Sequence, residues 1–163
     1  MLALAQIALL ITLIVITYQD FKHRAVWWFI FPLAFAIQVY LGTQYLPLQL
    51  QLLYGGLNAM LLLLQLTLLS LYFRVFKKQA SLINIGLGLG DVLFLVVLAV
   101  AFSPINFILF EISTLILALL LSPVLKNKKL VPLAGIMAFS YALVYVFFYF
   151  SSYQPYTDLI TYP

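Results

Sequence analysis

Six apolar runs dominate the sequence and leave few folds open to it. They cover about residues 2–18, 26–41, 52–73, 91–102, 105–125 and 131–150. A helix rises 1.5 Å per residue, so most of these runs are long enough for a hydrocarbon core about 30 Å thick. Only 7% of the residues are charged, against about 25% in a soluble domain. The sequence therefore predicts an all-α, polytopic membrane protein with six transmembrane helices, in which residues 1–163 form one transmembrane domain within the lipid bilayer.

Basic side chains are confined to the connections that follow the first, third and fifth runs. The other two connections and the C-terminal tail contain none. Because lysine and arginine favour the cytoplasmic side, we expect these three connections in the cytoplasm and both termini outside it. The same location explains the net charge of +4 as a topology signal, so we expect no nucleic-acid partner. The basic residues are Lys22, Arg24, Arg74, Lys77, Lys78, Lys126, Lys128 and Lys129.

Several kinds of chemistry need residues that this sequence has not got. It contains no cysteine and only one histidine, His23. A disulfide, a thiolate nucleophile and a cysteine zinc site are therefore excluded, and we expect no metal and no cofactor. The first apolar run is not preceded by a basic segment, as the run of a cleaved signal peptide would be. We therefore expect it to be retained as a spanning helix.

Only four acidic residues are present, and their positions are informative. Asp20 and Asp91 both fall at the cytoplasmic ends of apolar runs, whereas Asp158 lies in the predicted external tail. Glu111 lies roughly two turns into the fifth run, where it either contacts a Tyr or Ser of a neighbouring helix or has a functional role of its own. An ionisable group within a membrane is costly and is a candidate for function.

A glycine-rich stretch, Gly86 to Asp91, leads directly into the fourth apolar run. Glycine has no Cβ and forms helix poorly, so this stretch allows another segment to approach its backbone closely. From Asp91 to Phe102 a helix would be only about 18 Å long, which is short for the bilayer core. Either this helix is a short one that begins below the inner surface, or residues 82–90 also enter the membrane. In both cases we expect Asp91 in a water-accessible recess open to the cytoplasm, within reach of Asp20.

Two carboxylates at such a recess suit peptide hydrolysis. Held close together, they cannot both ionise readily, so the pair retains one proton. The charged member can take a proton from an attacking water while the protonated member donates to the carbonyl oxygen. Since the titration belongs to the pair, Asp20 and Asp91 are not given fixed roles. Taken singly, Asp20 can also be an interfacial acid paired with Lys22 or Arg24, and Asp91 a helix N-terminal acid stabilised by the dipole.

These residues resemble the motifs of the type IV prepilin peptidases and archaeal preflagellin peptidases. These enzymes are membrane aspartic proteases of the GxGD type with a six-helix core. The resemblance rests on Asp20 with its basic neighbours, on the stretch Gly88-Leu89-Gly90-Asp91, and on residues 131–138 with Pro132, which are similar to the start of the family's last helix. It covers nearly the whole chain. It implies catalytic roles for Asp20 and Asp91, with Gly88, Gly90 and Pro132 as supporting motif residues.

The resemblance also implies a substrate and a location. Family members cut type IV pilin-like precursors, which carry a short basic leader before a hydrophobic helix, at the cytoplasmic face of a prokaryotic cytoplasmic membrane. Many bacterial members methylate the new N-terminus as well and carry an additional segment with a cysteine zinc site. Because this chain has no cysteine, we expect an aspartic endopeptidase without a methyltransferase module.

The sequence departs from the family pattern at two places. The Pro-Asn of the first motif is replaced by Trp27 and Trp28, and Leu93 occupies the position of a lysine after the second motif. Neither departure removes a group that the hydrolytic step needs. Two other functions remain open: a catalytically degenerate assembly or scaffold protein of the same fold, and a proton-coupled transporter that uses the two aspartates as a relay. The absence of an internal repeat argues against the transporter.

Overall fold

The computed structural model describes residues 1–76, 88–123 and 131–150, with side chains described as far as Phe148. Over these ranges the chain forms six α-helices, which confirms the all-α class there. Three of them, α1, α3 and α5, are long and apolar enough to cross a membrane, whereas α2, α4 and the described part of α6 are shorter apolar helices. The helices are α1 Leu2–His23, α2 Ile30–Gly42, α3 Leu48–Phe76, α4 Leu89–Ala99, α5 Pro104–Leu121 and α6 Leu133–Phe150.

The ends of the first two helices differ from the prediction. Helix α1 continues beyond residue 18 to His23, so Asp20 lies inside its last turn rather than after it. It ends at Arg24, whose backbone is left-handed with φ 57° and ψ 22°, a common way to terminate a helix. Helix α2 begins at Ile30 instead of residue 26. The intervening segment bends back onto α1, where the Trp27 N–H donates to Gln19 Oε1 at 3.0 Å.

Helices α3 and α4 also begin earlier than predicted. The third apolar run predicts a helix from residue 52, but α3 starts at Leu48, directly after Pro47. Proline suits a helix start because its fixed φ is helical and an N–H at that position would have no intrahelical partner. Helix α4 starts at Leu89, two residues before Asp91, and its 11 residues confirm that the fourth helix is short. Gly86 and Leu87 of the glycine-rich stretch lie outside the described residues.

The core forms where α1, α2, α4 and α6 meet. Leu9, Leu13 and Ile16 are spaced along one face of α1 and are fully buried, as expected for a face that packs against neighbouring helices. Phe94 and Leu98 of α4 belong to the same core. Helix α3 has few buried side chains and exposes many leucines. This apolar exterior supports the prediction of a membrane protein.

Polar side chains attach α3 to its neighbours. Asn58 is fully buried, and its Nδ2 donates to the carbonyl oxygens of Ala99 at 2.8 Å and Phe102 at 3.0 Å. Carbonyls at the end of a helix have no intrahelical donor. Asn58 therefore satisfies the carbonyl of the last residue of α4, Ala99, and that of Phe102 in the connection to α5. Gln65 Nε2 donates to Glu111 Oε2 of α5 at 3.0 Å. Glu111 therefore makes a polar contact between helices, but its partner is a glutamine and not the predicted Tyr or Ser.

We expect Asn58→Leu to destabilise the protein by about 1–3 kcal/mol, because it leaves two buried carbonyls without a donor. Thr67→Val is the matched control on the same helix, since the exposed Thr67 hydroxyl bonds only to the Leu63 carbonyl of its own helix. Thermal unfolding of the detergent-solubilised protein measures both variants. Equal unfolding temperatures for the two would contradict the role assigned to Asn58.

Candidate active site

Backbone amides in the first turn of α6 donate hydrogen bonds to both predicted catalytic acids. Asp20 lies on the last turn of α1, and its Oδ2 accepts a hydrogen bond from the Gly135 N–H at 2.6 Å. Asp91 lies on the first turn of α4, and its Oδ1 accepts from the Ala134 N–H at 2.7 Å. N–H groups in the first turn of a helix have no intrahelical acceptor. Two consecutive amides of this kind therefore bring together carboxylates from two different helices.

The second oxygen of Asp91 is bonded within its own motif. Asp91 Oδ2 accepts from the Gly88 N–H at 3.0 Å, and Gly88 is the extended residue immediately before α4. This is the hydrogen bond of a helix N-terminal acid, the simpler interpretation of Asp91. The bond to Ala134 is additional and crosses to another helix. A Cβ on Gly88 would lie 3.0 Å from Asp91 Oδ2, so glycine leaves this carboxylate undisturbed.

Gly135 allows α1 to approach α6 closely. A Cβ at this position would lie 2.9 Å from Phe21 Cδ2 and 3.1 Å from both Cβ and Oδ2 of Asp20. The contact is too close for any larger residue without a shift of α1. Sequence reasoning did not single out Gly135 or Ala134, although both lie in the stretch 131–138. The available signal was a pair of small residues, Ala134 and Gly135, that begins two positions after Pro132.

The other two supporting motif residues play smaller parts in the geometry. Pro132 is buried, and its carbonyl oxygen accepts the Ile136 N–H at 3.0 Å, which begins the hydrogen bonding of α6. A Cβ on Gly90 would meet Phe31 Cζ at 3.6 Å, an ordinary contact. Space alone therefore does not require glycine at position 90.

The two carboxylates line a cavity of about 780 Å³ between the C-terminal ends of α1 and α5 and the N-terminal ends of α2, α4 and α6. Most of its other lining groups are apolar, so charges inside it are poorly screened. Leu93 and Trp28, two positions where the sequence departs from the prepilin-peptidase pattern, both line it. The full lining is Asp20, Arg24, Ala25, Val26, Trp28, Phe31, Gly88, Leu89, Gly90, Asp91, Leu93, Leu115, Ala118, Leu119, Ser122, Val131 and Leu133.

Backbone amides, and not Lys22, orient the two acids. Lys22 is exposed, and its Nζ donates to the Tyr18 hydroxyl. The alternative interpretation paired Asp20 with Lys22 or Arg24. Lys22 is engaged with Tyr18 instead, whereas Arg24 interacts with Asp20 electrostatically. Asp20 and Asp91 are close enough to interact electrostatically with each other. Among the described residues, no three His, Cys, Asp or Glu side chains form a metal-binding group. One oxygen of Asp20 and both oxygens of Asp91 accept backbone hydrogen bonds. Two neighbouring carboxylates fixed in this way can bind and polarise a water molecule.

The two remaining acids are elsewhere. Glu111 is bonded to Gln65 and does not line the cavity, and Asp158 lies outside the described residues.

Comparisons of the chain with protein-family models, with curated proteins and with solved structures found no match. The resemblance to the prepilin peptidases therefore stays a prediction that rests on the motifs.

We expect Gly135→Ala to destabilise the protein by about 1–3 kcal/mol, because the added methyl group overpacks the contact between α1 and α6. Gly56→Ala is the control, since a Cβ there meets no atom within 4 Å. It should leave stability unchanged or raise it by up to about 1 kcal/mol through better helix formation. Thermal unfolding in detergent measures both. A Gly135→Ala protein as stable as the control would argue against the close contact.

Proposed function

We propose that this chain is a membrane aspartyl endopeptidase that removes the short leader of type IV pilin-like precursors at the cytoplasmic face of a prokaryotic membrane. The observation that supports this most strongly is the pairing of Asp20 and Asp91 at consecutive amides of α6. A helix N-terminus could satisfy its amides with any acceptor. The use of two carboxylates beside an apolar cavity is costly and is explained by chemistry that needs both.

The proposed reaction needs only the two acids and water. The ionised carboxylate takes a proton from water as the water oxygen bonds to the peptide carbonyl carbon, and the protonated carboxyl gives its proton to the carbonyl oxygen. The tetrahedral intermediate then collapses. Its C–N bond breaks, the leaving nitrogen takes up a proton, and a carboxylic acid and an amine are released. The pair ends with one proton, as it began.

The surroundings of the pair fit a substrate with an apolar helix. Leu89, Leu115 and Leu119 line the cavity and are largely exposed, so its wall continues onto the apolar exterior. A precursor anchored by its hydrophobic segment would reach the cavity from the bilayer, while its basic leader would stay at the cytoplasmic surface. In the family a lysine follows the motif aspartate. With Leu93 there, the cavity offers one fewer cation and a larger apolar wall.

Replacing either acid tests the proposal. Asp20→Asn or Asp91→Asn should lower precursor cleavage at least about 100-fold, because each removes a proton-transfer group. Both variants should still insert in the membrane, since an asparagine oxygen can accept the same backbone hydrogen bond. Glu111→Gln is the control and should cleave normally. Cleavage is measured as a mobility shift of a co-expressed pilin-like precursor.

The same variants separate the alternatives. A scaffold protein predicts no cleavage by the wild type and normal pilus-like assembly with either asparagine variant. A proton relay predicts no cleavage by the wild type and loss of proton-coupled flux in both variants. Cleavage that persists in either asparagine variant would contradict the proposed mechanism.

The proposal includes six spans with both termini outside the cytoplasm, and single cysteines can test this because the chain has none. We expect a cysteine introduced by Thr43→Cys to react with a membrane-impermeant maleimide in intact cells. A cysteine introduced by His23→Cys should react only after permeabilisation. Both positions are exposed, so access depends on the side of the membrane. Reaction at position 23 in intact cells would contradict the orientation.

A further inference from the structure

Arg24 is a charged residue of the cavity that the proposed reaction does not use. It follows α1 directly and lines the cavity together with Asp20 and Asp91. Its Nε, Nη1 and Nη2 atoms are all buried, and none donates a hydrogen bond within the part of the chain that the structure describes. A guanidinium carries five N–H donors and a permanent charge. Its burial without acceptors is costly, which indicates a group that binds to it.

The backbone at this position gives a second, independent indication. Arg24 is the only non-glycine residue with a positive φ in the described ranges. Glycine or asparagine adopts this left-handed conformation more readily and is commonly found where a helix ends in this way. An arginine here retains backbone strain, and strained residues cluster at binding sites. We therefore expect the Arg24 side chain to make an interaction that compensates for the cost of the strained backbone.

The two acids do not use the donors of Arg24. Their bonded oxygens are held by the amides of Gly88, Ala134 and Gly135. Arg24 interacts with both acids electrostatically, and its positive charge balances the single negative charge of a carboxyl pair that holds one proton. The acceptor that it binds is therefore best neutral, because a further carboxylate would leave a net negative charge in an apolar cavity.

A peptide undergoing cleavage supplies neutral acceptors of this kind. The scissile segment must be unwound for water to reach its carbonyl, and unwinding leaves backbone carbonyl oxygens without helical partners. In a cavity walled by leucines these oxygens need donors. Among the cavity side chains that the structure describes, only Arg24 has buried donors without acceptors.

We propose that Arg24 is a substrate-binding residue whose guanidinium donates to backbone carbonyl oxygens of the unwound peptide beside the scissile bond. This assignment rests on the proposed peptidase function. Binding of backbone carbonyl oxygens by Arg24 does not depend on the side chains of the substrate. It places the peptide backbone between the guanidinium and the carboxyl pair.

The test uses the full-length protein in detergent and a fluorescent peptide with a basic leader, an apolar segment free of Asp and Glu, and an amidated C-terminus. Arg24→Gly in the wild-type protein should raise KM by about 10- to 100-fold. The same substitution in the Asp91→Asn protein should weaken binding of the peptide by about 10- to 100-fold, as expected for lost hydrogen bonds to a charged donor. It should not lower the unfolding temperature, since glycine suits the left-handed backbone. Lys22→Gln is the control. It removes the same charge from the neighbouring exposed surface and should leave KM and binding unchanged.

Two further measurements separate binding from a structural role. Methylguanidinium should restore peptide binding to the Arg24→Gly protein and to no other variant, because it refills the space with the same donors. Arg24→Lys, which keeps the charge but not the planar fork, should bind more weakly than wild type and remains informative if Arg24→Gly fails to fold.

The outcomes distinguish this inference from the proposed function. If peptide binding depends on Arg24 but the wild type cleaves nothing, the binding role stands and the peptidase proposal fails. If cleavage needs both aspartates but Arg24→Gly leaves KM and binding unchanged, the binding role is overturned. It is also overturned if dependence on Arg24 emerges only when the peptide carries an acidic side chain.

Discussion

The arrangement depends on two backbone N–H groups at the start of α6. A helix that begins within apolar surroundings leaves its first amides without acceptors, and the cost of leaving them unpaired is high. Asp20 and Asp91 supply the two acceptors, so the contacts that complete α6 also join α1 and α4 to it. The hydrogen bonds that bring the two carboxyl groups together are therefore also bonds that join the helices. Removing an acid would disturb helix packing as well as the proposed chemistry. Asparagine separates the two effects because its side-chain oxygen still accepts the hydrogen bond.

Helix α4 is held at both ends by polar groups of other segments. At its N-terminal end Asp91 bonds to Gly88 and Ala134. At its C-terminal end the Ala99 and Phe102 carbonyls accept from Asn58. Between lipid-exposed helices, apolar burial supplies little preference for one arrangement, and hydrogen bonds with close packing decide it. These hydrogen bonds fix the position of the short helix α4, and with it the position of Asp91 relative to α6.

The sequence predicted the large features because they depend on composition and period. Six apolar runs became six helices in the described part of the chain, and the scarcity of acids directed attention to Asp20 and Asp91. The helix ends were less predictable. The continuation of α1 to His23 depends on a left-handed Arg24, and the late start of α2 depends on a bond from Trp27 to Gln19; neither has a signature in one sequence.

The groups that complete the site were hidden for a related reason. The N–H groups of Ala134 and Gly135 belong to the backbone, which every residue has. No residue type therefore marks them as hydrogen-bond donors to the two acids. The importance of Gly135 becomes visible only when Asp20 and Phe21 lie against it. Arg24 looked like one of several topology-setting cations until its guanidinium was found buried in the cavity. Glu111 was recognised as unusual, but its Gln65 partner on α3 depends on how two helices pack.

Cross-linking can show whether α1 and α4 bring Asp20 and Asp91 next to each other. The protein has no cysteine, so the double variant Asp20→Cys/Asp91→Cys can be treated with a short thiol-specific cross-linker in membranes and then cut at a protease site engineered between α3 and α4. We expect the two fragments to stay joined in this variant and to separate in the control Asp20→Cys/Glu111→Cys. Fragments that separate in the first variant, in membranes where the protein is folded, would contradict the pairing of Asp20 with Asp91.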